Sequence, residues 1–341
     1  MSKKGRTFLV LLSILSSVSA LAMTSAQLFS PINEITTSIE VTYAYEDILS
    51  LELHVSDVSR SPLEYLWNQS TKVAYSESPT RTANYPGIDM HTWEKSFDKE
   101  SSGSIKVEYA VVSRRSSFQG SRDSRIDDGP LWASDRFLKN ESIRDSRNNI
   151  IKLIDLNDEI KNLSKNITKG ERRTYYASQL IYQWVVDNIR YKVDDDPYPK
   201  GTMRTLKDGE GDCDDMSALF CSLARSVGIP CYLVDGYVIE RSGALPYAHT
   251  WAGVVIGSEK RIFDSLPVDP AFREFGTKAA TKITVGFDPG SDEYLQKAYR
   301  AFKFTYENSD GTNGGAAIVA VAGMYADDRD PLYEIKKRSY F

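Results

Sequence analysis

Three side chains in this sequence are spaced to do nucleophilic chemistry, and they follow one another along the chain as Cys213, His249 and Asp264. Cys213 stands in Gly209-Glu210-Gly211-Asp212-Cys213-Asp214-Asp215, a Gly-rich loop that opens a helix running to about Val227 and stopping at Gly228. In the first turn of a helix the backbone N–H groups have no helical acceptor and the macrodipole is positive, so a thiolate is stabilised there. Asp212, Asp214, Asp215 and Glu210 act the other way, because nearby carboxylates raise a thiol's pKa. The expectation is that the helix terminus and a close His249 imidazolium outweigh them, since exposed carboxylates are screened by water and salt.

The chain has three histidines, and His249 is the one that follows the cysteine helix, at the head of the apolar run Thr250 to Ile256. A turn at Gly257-Ser258-Glu259 leads to a return strand from Lys260 to Ser265, where an acid would orient the imidazole and fix its tautomer. Two acids compete for that role. Asp264 ends the return strand, and Asp269 lies in Leu266-Pro267-Val268-Asp269-Pro270. In a regular strand their carboxylates face opposite sides, so only one can meet the ring. Hairpin reach favours Asp264. The remaining cysteines, Cys221 and Cys231, read as small buried hydrophobes, and they are the one pair left that a disulfide could join.

Taken in order, Gly211-Asp212-Cys213, Leu223-Ala224-Arg225-Ser226-Val227-Gly228-Ile229-Pro230, His249-Thr250-Trp251 and one of the two aspartates resemble the core of the transglutaminase-like superfamily, which shares the papain-like thiol-enzyme fold. The resemblance covers roughly Tyr176 to Phe272. It implies an α+β fold in which the cysteine helix packs on an antiparallel sheet, here preceded by an all-β domain. It also implies acyl chemistry on peptide or Gln side-chain amides through an acyl-enzyme on Cys213, with the Cys213 N–H as an oxyanion donor. Hydrolysis is favoured over cross-linking, because transfer needs a site that excludes water and admits an amine. The reading from another class is a non-catalytic cell-surface binding or assembly module that retains the fold.

Several elements must position these residues. A helix from Glu171 to Ile189, with Tyr176, Leu180, Trp184 and Val185 near one face, would pack beside the active-site loop. Another lies within Ser142 to Lys165. Upstream, Ser38 to Tyr45, Leu51 to Val55 and Ser104 to Val112 alternate with period two, as strands of an antiparallel sandwich would. His54 falls in such a strand and His91 in a loop. Ser113 to Asp128, rich in Ser, Arg and Asp, reads as a linker. Downstream, Thr281 to Phe287 reads as a strand, Glu293 to Phe302 as a helix, and Ala316 to Ala322 as a buried strand too short to span a bilayer. The organisation expected is thus 1–30 signal or anchor, 31–128 β-sandwich-like domain, 129–285 catalytic domain and 286–341 C-terminal extension.

Composition narrows the partners. The formal net charge of −5 and the lack of a Lys/Arg run argue against nucleic acid, and the protein or peptide substrate is what the resemblance implies. Lys3, Lys4 and Arg6 precede an uncharged run from Thr7 to Asn33, with small-residue sites at Ala20-Leu21-Ala22 and Thr24-Ser25-Ala26. This describes a secretion signal, or an uncleaved anchor giving membrane association, and in both cases an extracellular or cell-surface protein. Sequons at Asn68, Asn140, Asn162 and Asn166 suit that compartment. No cofactor is expected. Ca2+ is the one ion the acids could take, through Asp194, Asp195 and Asp196 or through Glu210, Asp212, Asp214 and Asp215, although no EF-hand spacing is present.

Overall fold

A computed structural model describes residues 33–326 apart from 62–66, 146, 194–197, 240–245, 258–263, 300–301, 308–312 and 317–320. The segment read as signal or anchor therefore lies outside the described residues. Among the described residues no helix is long and apolar enough to cross a membrane.

The chain opens with β1 (Glu34–Asp57), followed by β2 (Gln69–Tyr75), β3 (Arg81–Tyr85) and β4 (Ile88–Arg114). β1 and β4 run antiparallel from Glu34 opposite Arg114 to Asp57 opposite Asp89, and β2 and β3 both pair with β4. The period-two pattern puts Ile39, Val41, Leu51, Leu53 and Val55 of β1 into one core with Trp93, Ile105, Val107 and Tyr109 of β4. His91 is in β4, opposite Thr82, and not in a loop. The Pro86-Gly87 turn, with Gly87 at φ 86°, closes β3 directly onto β4 and carries His91 into the ladder. There its Nε2 lies 2.9 Å from Asp57 Oδ2.

The stretch from Ser113 to Asp128, read as a linker or exposed loop, lies mostly at the surface, and within it β5 (Ser116–Ser117) pairs with a strand near Lys278. Then come α1 (Leu131–Phe137), the hairpin β6 (Glu141–Arg144) and β7 (Ile150–Ile154), α2 (Asp158–Thr168), α3 (Thr174–Asn188), β8 (Arg190–Tyr191), α4 (Thr202–Asp208), β9 (Glu210–Gly211) and α5 (Cys213–Ser226). Asn157 caps α2 by accepting the Ile160 N–H at 3.0 Å. In α3 the buried stripe is Ala177, Ser178, Ile181 and Val185, rotated from the expected face so that Leu180 is exposed. Helical i, i+3, i+4, i+7 spacing from Thr174 selects that stripe.

α5 is buried nearly all round from Asp215 to Arg225, with Met216, Leu219, Phe220 and Leu223 among its buried side chains. Such a helix must be covered on every side. It packs on α2, α3 and α4 and, opposite, on the antiparallel sheet of β10 (Cys231–Val238), β11 (Tyr247–Ile256), β12 (Asp264–Asp269), β13 (Glu274–Phe275) and β15 (Lys282–Phe287), in the order β13-β12-β11-β10-β15. Each buried Leu or Phe contributes about 1.5–3 kcal/mol. Between β13 and β15, β14 (Thr277–Lys278) pairs with β5, and α6 (Asp292–Ala298) follows β15.

The C-terminal residues return to the first sheet. β16 (Phe302–Glu307) and β18 (Val321–Ala326) pair antiparallel with β1, and β17 (Asn313–Ala316) pairs with β16. The single strand expected from Ala316 to Ala322 is thus divided between β17 and β18, with 317–320 outside the described residues. This makes one seven-stranded sheet, and the layer facing it comes from β15 and the residues flanking it and β10, where Ile239, Ala280 and Ile283 join the β1 and β4 side chains. Gln69 ties the two layers by donating from Nε2 to Thr284 O at 2.8 Å and accepting the Thr284 N–H at 2.9 Å.

Candidate active site

Cys213 begins α5 because the residues before it build a helix start. The Asp212 side chain accepts the Asp215 N–H at 3.3 Å, so this acid caps the helix. Gly211 lets the turn close: a Cβ there would lie 2.5 Å from that of Asp215. β8 runs parallel to β9, and Arg190 and Lys192 both pair with Glu210, pinning the loop two residues before the cap.

The Cys213 thiol is half-buried, lies 3.5 Å from Asp214 Oδ1 and receives the backbone N–H of Thr250. Ser217 Oγ donates to Thr250 O at 3.2 Å, so the first two turns of α5 are fastened to β11 at the residue after His249. Burial, followed by Asp214 and Asp212, pushes the thiol well above its ordinary range, and the Thr250 N–H offsets this only in part. These contributions oppose the preformed thiolate that the sequence leads one to expect. These carboxylates are not screened surface charges, because they share the partly buried ground of the sulfur. Burial raises Asp214 to about 7 and Asp235 to about 6. Thr250 Oγ1 donates to Asp235 Oδ1 at 3.0 Å.

His249 is buried in β11, and its Nε2 lies 2.7 Å from Asp269 Oδ2. Asp269, and not Asp264, thus meets the imidazole. The register explains the difference. Ile256 stands opposite Asp264 and Ala252 opposite Val268, so the pairing is shifted by four residues from the one a Gly257-Ser258-Glu259 turn would give, which sets Lys260 opposite Ile256. Asp264 sits beside the far end of β11, on the order of 20 Å from His249 at strand rise. Asp269 has the parity that faces the ring.

Three residues that sequence reasoning did not single out complete the pair. Phe272 stacks on the His249 ring at 4.2 Å between centroids and 24° between planes, and its N–H donates to Asp269 Oδ1 at 3.0 Å. Lys282, only 2% exposed, bonds Asp269 Oδ2 and also donates to Glu274 Oε2 at 2.7 Å. Burial works against the Asp269 carboxylate, but the His249 hydrogen bond and the Lys282 ammonium outweigh it and hold the carboxyl below its usual range. The Asp269-Pro270 step was the readable signal for the acid. Nothing local marks Lys282.

The acids weighed for Ca2+ are distributed differently from that expectation. Asp194, Asp195 and Asp196 lie outside the described residues. Glu210 is engaged by Arg190 and Lys192, and Asp215 accepts the Lys200 N–H at 2.7 Å. Asp212, Cys213 and Asp214 keep their ligand atoms within 4.8 Å of one another. Cys221 and Cys231 are buried, unbridged thiols.

Residues 161–265 match the family model of the transglutaminase-like superfamily. The chain carries a transglutaminase-like domain. The match spans Cys213 and His249 and stops short of Asp269. No curated protein matches the sequence. Among solved structures, a candidate cysteine protease from Cytophaga hutchinsonii is similar over 90% of this chain and 96% of its own, at 12% identity and a TM-score of 0.58. The periplasmic domain of TgpA from Pseudomonas aeruginosa is similar over 75% of this chain and 95% of its own, at 14% identity and a TM-score of 0.35. The first likeness bears on the fold alone.

Proposed function

We propose that the protein is an exported thiol hydrolase that cleaves peptide or Gln side-chain amides through an acyl-enzyme on Cys213. The observation that carries this reading is the His249–Asp269 pair beside a thiol that opens a helix and touches Thr250. With Nε2–H given to Asp269, Nδ1 of the neutral ring is the basic nitrogen. Cys213 Sγ attacks the amide carbonyl as its proton passes to Nδ1, and the tetrahedral oxyanion takes the Cys213 backbone N–H, which has no helical acceptor. Collapse breaks the C–N bond, and His249 returns the proton to the departing amine. Water, activated by the same ring, then hydrolyses the thioester.

With burial, Asp214 and Asp212 all opposing a resting thiolate, His249 acts as the general base during attack. The basic head and apolar run before Glu34 support export to the cell surface or beyond. The test is turnover of a fluorogenic peptide library by the wild type, Cys213→Ala and His249→Ala. Turnover lost in both variants, with the fold retained by circular dichroism, is the expected result. Turnover that survives in Cys213→Ala would remove Cys213 as the nucleophile, and turnover absent from the wild type would favour the binding-module reading.

A further inference from the structure

We infer that Lys282 is a positioning residue of the His249–Asp269 pair, whose ammonium shares Asp269 Oδ2 with the imidazole and so sets the pH at which that pair works. This rests on the acyl-enzyme reading above. The geometry is specific. His249 Nε2 and Lys282 Nζ both bond Asp269 Oδ2, while Phe272 occupies Oδ1. The ammonium also lies 4.6 Å from the centre of the Phe272 ring that stacks on His249, and it donates to Glu274 Oε2. A buried ammonium is costly unless paired, and this one has two carboxylates and an aromatic face. β15 and β12 are not neighbours in the sheet, so the bond joins strands that the backbone ladder leaves apart.

A lone Asp269 carboxylate would strengthen the hold of the ring on a proton, because an opposite charge in contact favours the charged form. A protonated ring cannot take the proton of a Cys213 thiol. Lys282 leaves Asp269 ionised, and therefore able to fix the Nε2–H tautomer, while cancelling much of its pull. The other titratable and charged groups around the pair are Glu274 on β13, Lys278 on β14, Tyr182 on α3 and Arg273 in the turn after β12. Lys278 does not substitute for Lys282: burial and then the Lys282 charge bring it down to about 7, and its Nζ is spent on Ser113 Oγ at 3.0 Å.

The experiment compares full-length wild type, Lys282→Met, Lys282→Arg and Glu274→Gln. It records kcat/KM against pH for one peptide substrate, and the rate of Cys213 alkylation by iodoacetamide over the same range. In Lys282→Met the acid limb should move up by about one pH unit. Lys282→Arg should move it back. Glu274→Gln should move it down, because Lys282 then serves Asp269 undivided. Glu274 is partly exposed, so this variant reports even where Lys282→Met fails to fold. Coincident limbs in all variants, or a loss in Lys282→Met that is equal at every pH, would overturn the inference. Absence of Cys213-dependent turnover in the wild type would defeat the acyl-enzyme reading alone, and the alkylation profiles would still decide the role of Lys282.

Discussion

Asp269 Oδ2 accepts the Nε2–H of His249 at 2.7 Å, while Asp264 stands opposite Ile256 at the other end of the same strand pair. If this bond fixes the tautomer, Asp269→Ala should lower kcat/KM by about 10²–10⁴-fold, whereas Asp264→Ala should stay within about threefold of wild type. Steady-state kinetics of the two purified, folded variants decides between them, and the reverse ranking would remove Asp269 from the site.

Cys213 should alkylate as a shielded thiol. Its rate with iodoacetamide should be low below pH 7 and still rising above pH 8, since burial, Asp214 and Asp212 all oppose the thiolate. Asp214→Asn should bring the curve to lower pH. A wild-type rate that is already high and flat at pH 6 would show a preformed ion pair.

How far the sequence disclosed this site depends on how local each signal is. Cys213 at a helix start, Gly228 as its stop and His249 leading an apolar strand are neighbours in sequence, and each was readable from a few residues. The choice between Asp264 and Asp269 was not, because it turns on where the strand after Ile256 resumes, and a Gly257-Ser258-Glu259 turn was an equally plausible start. Lys282, Glu274 and Phe272 meet only when β12, β13 and β15 pack together. The return of β16 and β18 to β1 is likewise a long-range pairing that alternation cannot announce. The burial that Asp214 shares with Cys213 is also a tertiary effect, and it removes the screening that exposed carboxylates would have.

Stability should fall as pH rises from about 4 to about 7. Folded Asp214 holds a proton up to about 7 and Asp235 up to about 6, whereas unfolded carboxyls lose theirs near ~4, so the folded chain binds more protons in that window. Asp214→Asn should flatten this slope and stabilise the protein at pH 8 by on the order of 1 kcal/mol. Urea unfolding at pH 5 and pH 8 measures it, and an unchanged slope would contradict the assignment. Asp269, held low, contributes in the opposite sense, with stability lost only as pH falls below about 4.

Arg225 has no exposed surface and stands between Glu141 at 3.0 Å and Asp288 at 3.2 Å, which are themselves fully buried. Its Nε also donates to Cys231 O at 3.0 Å. Arg225→Leu would leave two buried carboxyls without their cation and should cost about 3–5 kcal/mol. Thermal unfolding reads this as a large drop in Tm, and a shift of a degree or two would show that the network is dispensable.

The account stands most directly on whether Cys213 carries the acyl group. The protein is mixed with p-nitrophenyl acetate, quenched in acid within the first turnover and digested for peptide mass spectrometry. A burst of p-nitrophenol, with one acetyl group on the Cys213 peptide and neither in Cys213→Ala, is the predicted result. An equal burst from Cys213→Ala, or acetyl groups found only on lysines in the wild type, would contradict it.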